Sequence, residues 1–175
     1  LNTLDRKVVG NERPSVTGGW STTLTYKNLS LYARCDYALG HTIYNDLKSR
    51  SMGQYQGQFN LITKVKEMWS EDNPNSKYPV FTYADQLNKH NIWRGNSIFY
   101  EKASYMALRE ITLSYSLPKQ WIKALQMSNA NVYVTGQNLF YLTSYDGASP
   151  EPTNGVDYGR YPAPRTLLFG LNITF

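Results

Sequence analysis

One cysteine and two histidines in 175 residues leave little material for metal or redox chemistry. Cys35 has no second cysteine with which to form an internal disulfide. Six residues along a strand span about 20 Å, so Cys35 and His41 are out of reach of each other. His90 has no second histidine or cysteine close in sequence, whereas a zinc site needs three or four convergent ligands. No apolar run approaches the roughly 18 residues that a membrane-crossing helix requires, and the mean hydropathy is −0.51. No G-x-S-x-G, Walker or dinucleotide-binding pattern occurs. Glu67, Glu71, Asp72, Glu151 and Asp157 have no separation fixed by sequence, so they do not define a glycosidase pair. No catalytic residue, metal or cofactor is expected, and the chain is not expected to be an enzyme. The 18 Lys+Arg outnumber the 13 Asp+Glu for a net charge of +5. They form no basic block, which argues against nucleic acid as a partner. The sequence opens at Leu1 without a charged region followed by an apolar stretch, so it is expected to be mature, processed or a fragment.

What the sequence has in quantity is tyrosine, 15 residues, and alternation. Tyrosine suits strands and membrane interfaces, where a ring is half apolar and half wet. In the last ten residues Leu167, Phe169, Leu171, Ile173 and Phe175 share one face of an extended strand, while Thr166, Leu168, Gly170, Asn172 and Thr174 share the other. Residues 16–26 alternate in the same way, with Val16, Trp20, Leu24 and Tyr26 on one face. After a Lys27-Asn28 turn, residues 29–41 place Leu29, Leu31, Ala33, Cys35, Tyr37 and Leu39 opposite a face that carries Arg34 and Asp36. A strand over 97–117 changes phase between Leu108 and Ile111, which predicts a β-bulge near Arg109-Glu110. Gly18-Gly19 inside a strand pattern predicts a bend or bulge. Residues 131–141 form a further strand, with a helical turn at Trp121, Ile122 and Leu125 before it. A long interruption over 42–96 contains Phe59, Ile62, Val65 and Trp69 at the spacing of an amphipathic helix.

About five strands of roughly ten residues, each with an apolar and a polar face, fit an outer-membrane β-barrel wall. If the last strand descends to the periplasm, the long connections 42–96 and 142–164 are extracellular, and the turns at 27–28 and 118–130 are periplasmic. The competing architecture is a soluble β-sandwich, in which such faces pack against each other.

Several segments together resemble one family. Residues 102–118, K-A-S-Y-M-A-L-R-E-I-T-L-S-Y-S-L-P, are similar to the "ASFLRLKNVTLGYTLP" stretch of SusC/RagA-type TonB-dependent transporters. Residues 131–140, N-V-Y-V-T-G-Q-N-L-F, resemble its "VYVSGQNLF" signature. Tyr145-Asp146-Gly147 with Pro150-Glu151, then Asp157-Tyr158-Gly159, Tyr161-Pro162 and residues 164–175, resemble its "GYDPE" loop and its "DYGxYPxPRTFTFGLNLTF" ending. Asp5-Arg6, Val9-Gly10-Asn11, Pro14 and Tyr26-Lys27-Asn28 match its first hairpin. The resemblance covers nearly the whole chain apart from residues 49–96.

The resemblance implies an all-β fold: the C-terminal strands, about five, of a large antiparallel transmembrane β-barrel of about 22 strands when complete. Residues 1–175 would then be a C-terminal segment of the barrel domain of a TonB-dependent receptor. The signal peptide, TonB-contacting box, plug domain and remaining strands would lie upstream. The implied function is TonB-dependent import of oligosaccharides or oligopeptides across the outer membrane of a Bacteroidetes-type bacterium. The implied partners are a SusD-like surface lipoprotein acting as a lid, the TonB complex through the missing N-terminal part, and outer-membrane lipid. A soluble cell-surface β-sandwich that binds carbohydrate is the alternative.

Candidate substrate contacts are the loop residues Trp93, Tyr145, Asp146, Tyr158, Arg160 and Tyr161, since sugars stack on aromatic rings and polar neighbours hold their hydroxyls. The same residues would equally suit packing against neighbouring loops or the lid. Arg34 and Asp36 are expected to face the lumen, either as a solvated wall pair or as contacts to substrate or plug. Phe175 resembles the terminal aromatic that the barrel-assembly machinery reads.

Overall fold

The computed structural model describes residues 6–54, 60–80, 96–124 and 126–175. In chain order its principal elements are β1 (Val16–Tyr26), β2 (Leu29–Leu39), β3 (Thr42–Asn45), α1 (Asp46–Ser49), β4 (Tyr100–Lys102), β5 (Tyr105–Ser116), α2 (Lys119–Ala124), β6 (Asn129–Thr143), β7 (Val156–Asp157) and β8 (Thr166–Thr174). They divide between two compact units. One is built from Ser15–Leu39, Ser104–Thr143 and Pro162–Phe175; the other from Leu1–Pro14, Gly40–Ala103 and Ser144–Tyr161.

The first unit is a single sheet in the order β1-β2-β5-β6-β8, with every neighbouring pair antiparallel. Register carries the sequence alternation from strand to strand. Trp20 faces Cys35, Cys35 faces Leu108 and Leu108 faces Phe140. Further down, Leu24, Leu31, Leu113, Val134 and Phe169 form another such row. The result is one apolar face five strands wide, and it is open: Leu24 is 62% exposed, Phe140 53% and Phe169 78%. The other face bears threonines, serines, Asp36, Glu110 and Gln137. Both long connections leave one end of the sheet, where Ala38 pairs with Tyr105 and Tyr105 with Thr143. The short ones, at Lys27-Asn28 and through α2, close the other end.

The expected bulge is present, and it is double. Arg34 faces Glu110 and Cys35 faces Leu108, which makes Arg109 the extra residue against β2. On the other side Glu110 faces Gln137 while Leu108 faces Phe140, so Asn138 and Leu139 together oppose Arg109. Asn138 takes a φ of 52°, a left-handed conformation that asparagine tolerates better than most residues. Its Nδ2 donates to the Pro164 carbonyl at 3.2 Å. Because both strands shift, apolar residues before and after the bulges stay on one face.

Gly18-Gly19 departs from expectation. β1 pairs with β2 without interruption, so there is neither bend nor bulge. Gly18 instead makes room for the Tyr37 ring across the strand: a Cβ on it would stand 2.6 Å from the Tyr37 hydroxyl. Gly170 does the same for the Tyr133 ring. Bare glycines shielded by cross-strand aromatics recur in well-formed sheets.

The second unit has a small sheet in the order β4-β3-β7, with β3 antiparallel to β4 and parallel to β7. Its core gathers Met52, Met68, Tyr78 and Phe99, and separately Ile43, Ala103 and Tyr145. Two expectations are corrected here. Residues 62–69 do not form an amphipathic helix. Thr63–Glu67 is a 3₁₀ turn, and Met68 after it is extended because its side chain enters the core. The Trp69 amide then bonds the Tyr78 carbonyl at 3.1 Å, which holds the chain away from a helix; Phe59 lies outside the described residues. The single strand expected over 97–117 is two. Ala103, fully buried, separates β4 from β5, and its amide bonds the His41 carbonyl at 3.0 Å. The helical turn expected at Trp121 and Ile122 is α2, with Ile122 buried; Leu125 lies outside the described residues.

Candidate functional site

On the polar face of the sheet the double bulge presents Arg109. Its guanidinium donates from Nε and Nη2 to the two carboxylate oxygens of Asp36, at 2.6 and 2.9 Å. Its Nη1 donates to the Tyr141 hydroxyl, and the group lies 5.9 Å from the Tyr105 ring centroid and 5.2 Å from that of Tyr141. A planar fork matched to a carboxylate and stacked on rings is geometry that arginine makes and lysine does not. Three adjacent strands, β2, β5 and β6, are therefore clamped through one side chain. Arg34 and Asp36 share this face as expected, but they are not each other's partners. Asp36 belongs to Arg109, and Arg34 stands exposed opposite Glu110. The bulge brought Arg109 to Asp36, so their separation of 73 residues carried no sequence signal.

In the second unit, segments of the two long connections meet in a polar network. Lys48 Nζ lies 2.7 Å from Glu101 and 3.4 Å from Asp146, and Lys64 also reaches Asp146. Burial alone would lower the Lys48 pKa, but the hydrogen bond and charge of Glu101, helped by Tyr78, leave it raised above 10.5. Asp157 is buried and accepts three bonds: from the Tyr145 hydroxyl at 2.8 Å, the Ala148 amide at 3.0 Å and the Gly159 amide at 2.8 Å. Burial, then the Asp157 hydrogen bond and charge, push the Tyr145 phenol well above its ordinary pKa. His41 Nε2 lies 3.2 Å from the Pro150 carbonyl, and the Tyr44 amide bonds the Gly155 carbonyl at 2.9 Å.

The candidate residues therefore separate. Tyr145 is 7% exposed, and its hydroxyl is bonded to Asp157. Asp146 is half-exposed but neutralised by two lysines. Tyr158, Arg160 and Tyr161 come together on a cavity of about 130 Å³, joined by Glu151 and Asn154. Tyr161 is fully exposed and Tyr158 half-exposed. Trp93 lies outside the described residues. Phe175 follows the end of β8 and is 86% exposed. Sequence reasoning missed Lys48, Glu101 and Asp157 as network members; Asp157 sits two residues before a positive-φ glycine, the one local hint of a tied loop.

No family profile matches the chain. Among curated proteins, TonB-dependent receptor P26 of Formosa agariphila is 31% identical over 100% of this chain. TonB-dependent receptor SusC of Bacteroides thetaiotaomicron is 36% identical over 98% of it. Among solved structures, the RagAB peptide importer in its closed-closed state is 26% identical, with a TM-score of 0.80 over 97% of this chain. The chain spans 18% of the length of P26, 16% of SusC and 18% of the importer chain. With an all-β, mainly antiparallel fold shared along its whole length, this chain belongs to the SusC/RagA family of TonB-dependent receptors.

Proposed function

We propose that residues 1–175 form the C-terminal part of the barrel domain of an outer-membrane transporter that imports oligosaccharides or oligopeptides. The sheet of β1, β2, β5, β6 and β8 serves as barrel wall, and the second unit as extracellular loops. Import is driven through TonB by way of a plug domain elsewhere in the longer chain, and a SusD-like surface lipoprotein covers the extracellular side. The oligopeptide class is supported by the relative named a peptide importer, and the oligosaccharide class by the exposed loop aromatics Tyr158 and Tyr161.

The observation that carries this reading is the open apolar face backed by a polar one. From Val16 to Tyr26 a strand runs about 33 Å at about 3.3 Å per residue. At a tilt near 40° about 25 Å of that is vertical, the height of a barrel's apolar band. Tyr26 and Tyr115 mark one end of this face, where an interfacial aromatic girdle would stand. A soluble sandwich would bury this face, and the exposure of Leu31 and Leu113 on its inner strands speaks against one. Tyr158, Arg160 and Tyr161, with Asp146 and Trp93, are offered as contacts to substrate or lid, Arg34 as a lumen-lining group and Phe175 as the assembly signal.

The test is made in the native host with the full-length protein. Outer-membrane fractions are expected to contain it in a heat-modifiable form. Its deletion should abolish uptake of labelled peptides or of labelled oligosaccharides, and depletion of TonB should reproduce that loss. Recovery in the soluble fraction, or uptake of both classes unchanged by deletion, would sink the proposal.

A further inference from the structure

The end of the sheet away from the long connections is basic and aromatic, and among the described residues of its strands and turns no carboxylate side chain answers it. Lys27 sits in the β1–β2 turn, and Lys119 and Lys123 lie on α2; all three are exposed. The Asn28 amide side chain donates to the Ser116 carbonyl at 2.8 Å and the Ser116 amide to the Asn28 carbonyl at 2.8 Å, which ties the turn to the segment that leads into α2. Between residues 15 and 35, between 111 and 145, and between 162 and 175 the sequence has no Asp or Glu. Tyr26 is 72% exposed and Trp121 62%, while Ile122 anchors α2 inward.

Two features of this rim suit an anion outside it. Lys119 and Lys123 are four apart on one helical turn, a spacing at which like charges repel. Lys27 holds a φ of 54°, in the left-handed region where lysine is strained and glycine or asparagine is not. Its ammonium stands 5.4 Å from the Tyr26 ring centroid, at the level where a girdle meets headgroups.

From this arrangement we infer that Lys27, Lys119 and Lys123, with Tyr26 and Trp121, form a docking rim for anionic phospholipid headgroups of the periplasmic leaflet. The inference rests on the barrel-wall reading above. Exposed lysines near an anionic surface attract it within a Debye length, and aromatic rings fix the depth.

The test uses the full-length protein, purified from outer membranes in mild detergent and titrated with phosphatidylglycerol or phosphatidylethanolamine, with bound lipid counted by native mass spectrometry. The wild type is expected to retain phosphatidylglycerol preferentially. The triple variant Lys27→Gln, Lys119→Gln, Lys123→Gln should lose at least threefold of that preference, and the corresponding triple Arg variant should keep it. Lys66→Gln with Lys77→Gln, exposed in the second unit, should change nothing. Should the Gln variant not fold, salt decides: preference that persists in the wild type at 1 M salt overturns the rim. An unchanged preference in a folded, outer-membrane-located Gln variant also overturns the rim alone. A protein absent from the outer membrane overturns the barrel reading instead, and a preference for lipid A lost with the same lysines overturns the orientation.

Discussion

Asp157 does more for its loop than any other single side chain. Three donors converge on one buried carboxylate, so its removal takes that partner from a phenol and two backbone amides. Asp157→Ala is expected to cost about 2–4 kcal/mol locally, and Tyr145→Phe only about 1 kcal/mol, since the two amides remain bonded. Limited proteolysis of the full-length protein within 144–161 reads both: rapid cleavage for the first and near wild-type resistance for the second. The same contacts give a pH dependence. Lys48 and Tyr145 both have raised pKa values when folded, so the stabilisation they bring is complete below the unfolded values and is lost as pH rises through the folded ones. Protease resistance of this unit is therefore expected to hold from pH 7 to 9 and to fall above about 10.5. None of these partners was legible beforehand. Tyr145 looked like a ligand aromatic because its sequence neighbourhood is polar and turn-rich, and burial is a property of the fold that places Ile43 and Ala103 around it.

The long strands, by contrast, were legible because a barrel wall or any two-faced sheet repeats one local rule over ten residues. β1 and β2 match their alternation at both starts, and the phase change at Arg109 announced the bulge. β3 and β7 were not legible. Four residues and two residues hold no period, and β7 pairs with β3 from more than 100 positions away. What the bulge is for was likewise hidden, since it is the pairing of β2, β5 and β6 that turns Arg109 into a clamp. Arg109→Ala leaves Asp36 partly buried without its fork, and is expected to lower barrel stability by about 1–3 kcal/mol. Asp36→Asn should cost less, and the two together less than their sum, the signature of a shared contact in a double-mutant cycle. Heat-modifiable migration of the full-length protein measures all three. Gly170→Ala makes the complementary case for packing: its methyl group meets the Tyr133 ring, and overpacking of this kind costs about 1–3 kcal/mol.

At the scale of the whole molecule the open question is what lies against each face of the sheet, and the two faces answer differently to a charge. Leu167 is 61% exposed on the apolar face, in the middle row where Gly136 is its partner. Thr23 is exposed on the polar face, one strand position from that row, opposite Tyr32. In water both would tolerate an arginine, because an exposed side chain keeps its hydration whichever way it points. In a barrel wall only one does. An arginine at the apolar midplane must drag water or headgroups into hydrocarbon, at about 2–4 kcal/mol, while on the lumen side it meets water. Leu167→Arg is thus expected to lower the urea midpoint of the full-length protein in lipid vesicles sharply, and Thr23→Arg to leave it nearly unchanged. Equal small effects would mean that the apolar face is wetted, and equal large ones that both faces are packed against protein. The sharp asymmetry is expected only if lipid covers one face and a wet lumen the other, since the same five strands then separate two solvents.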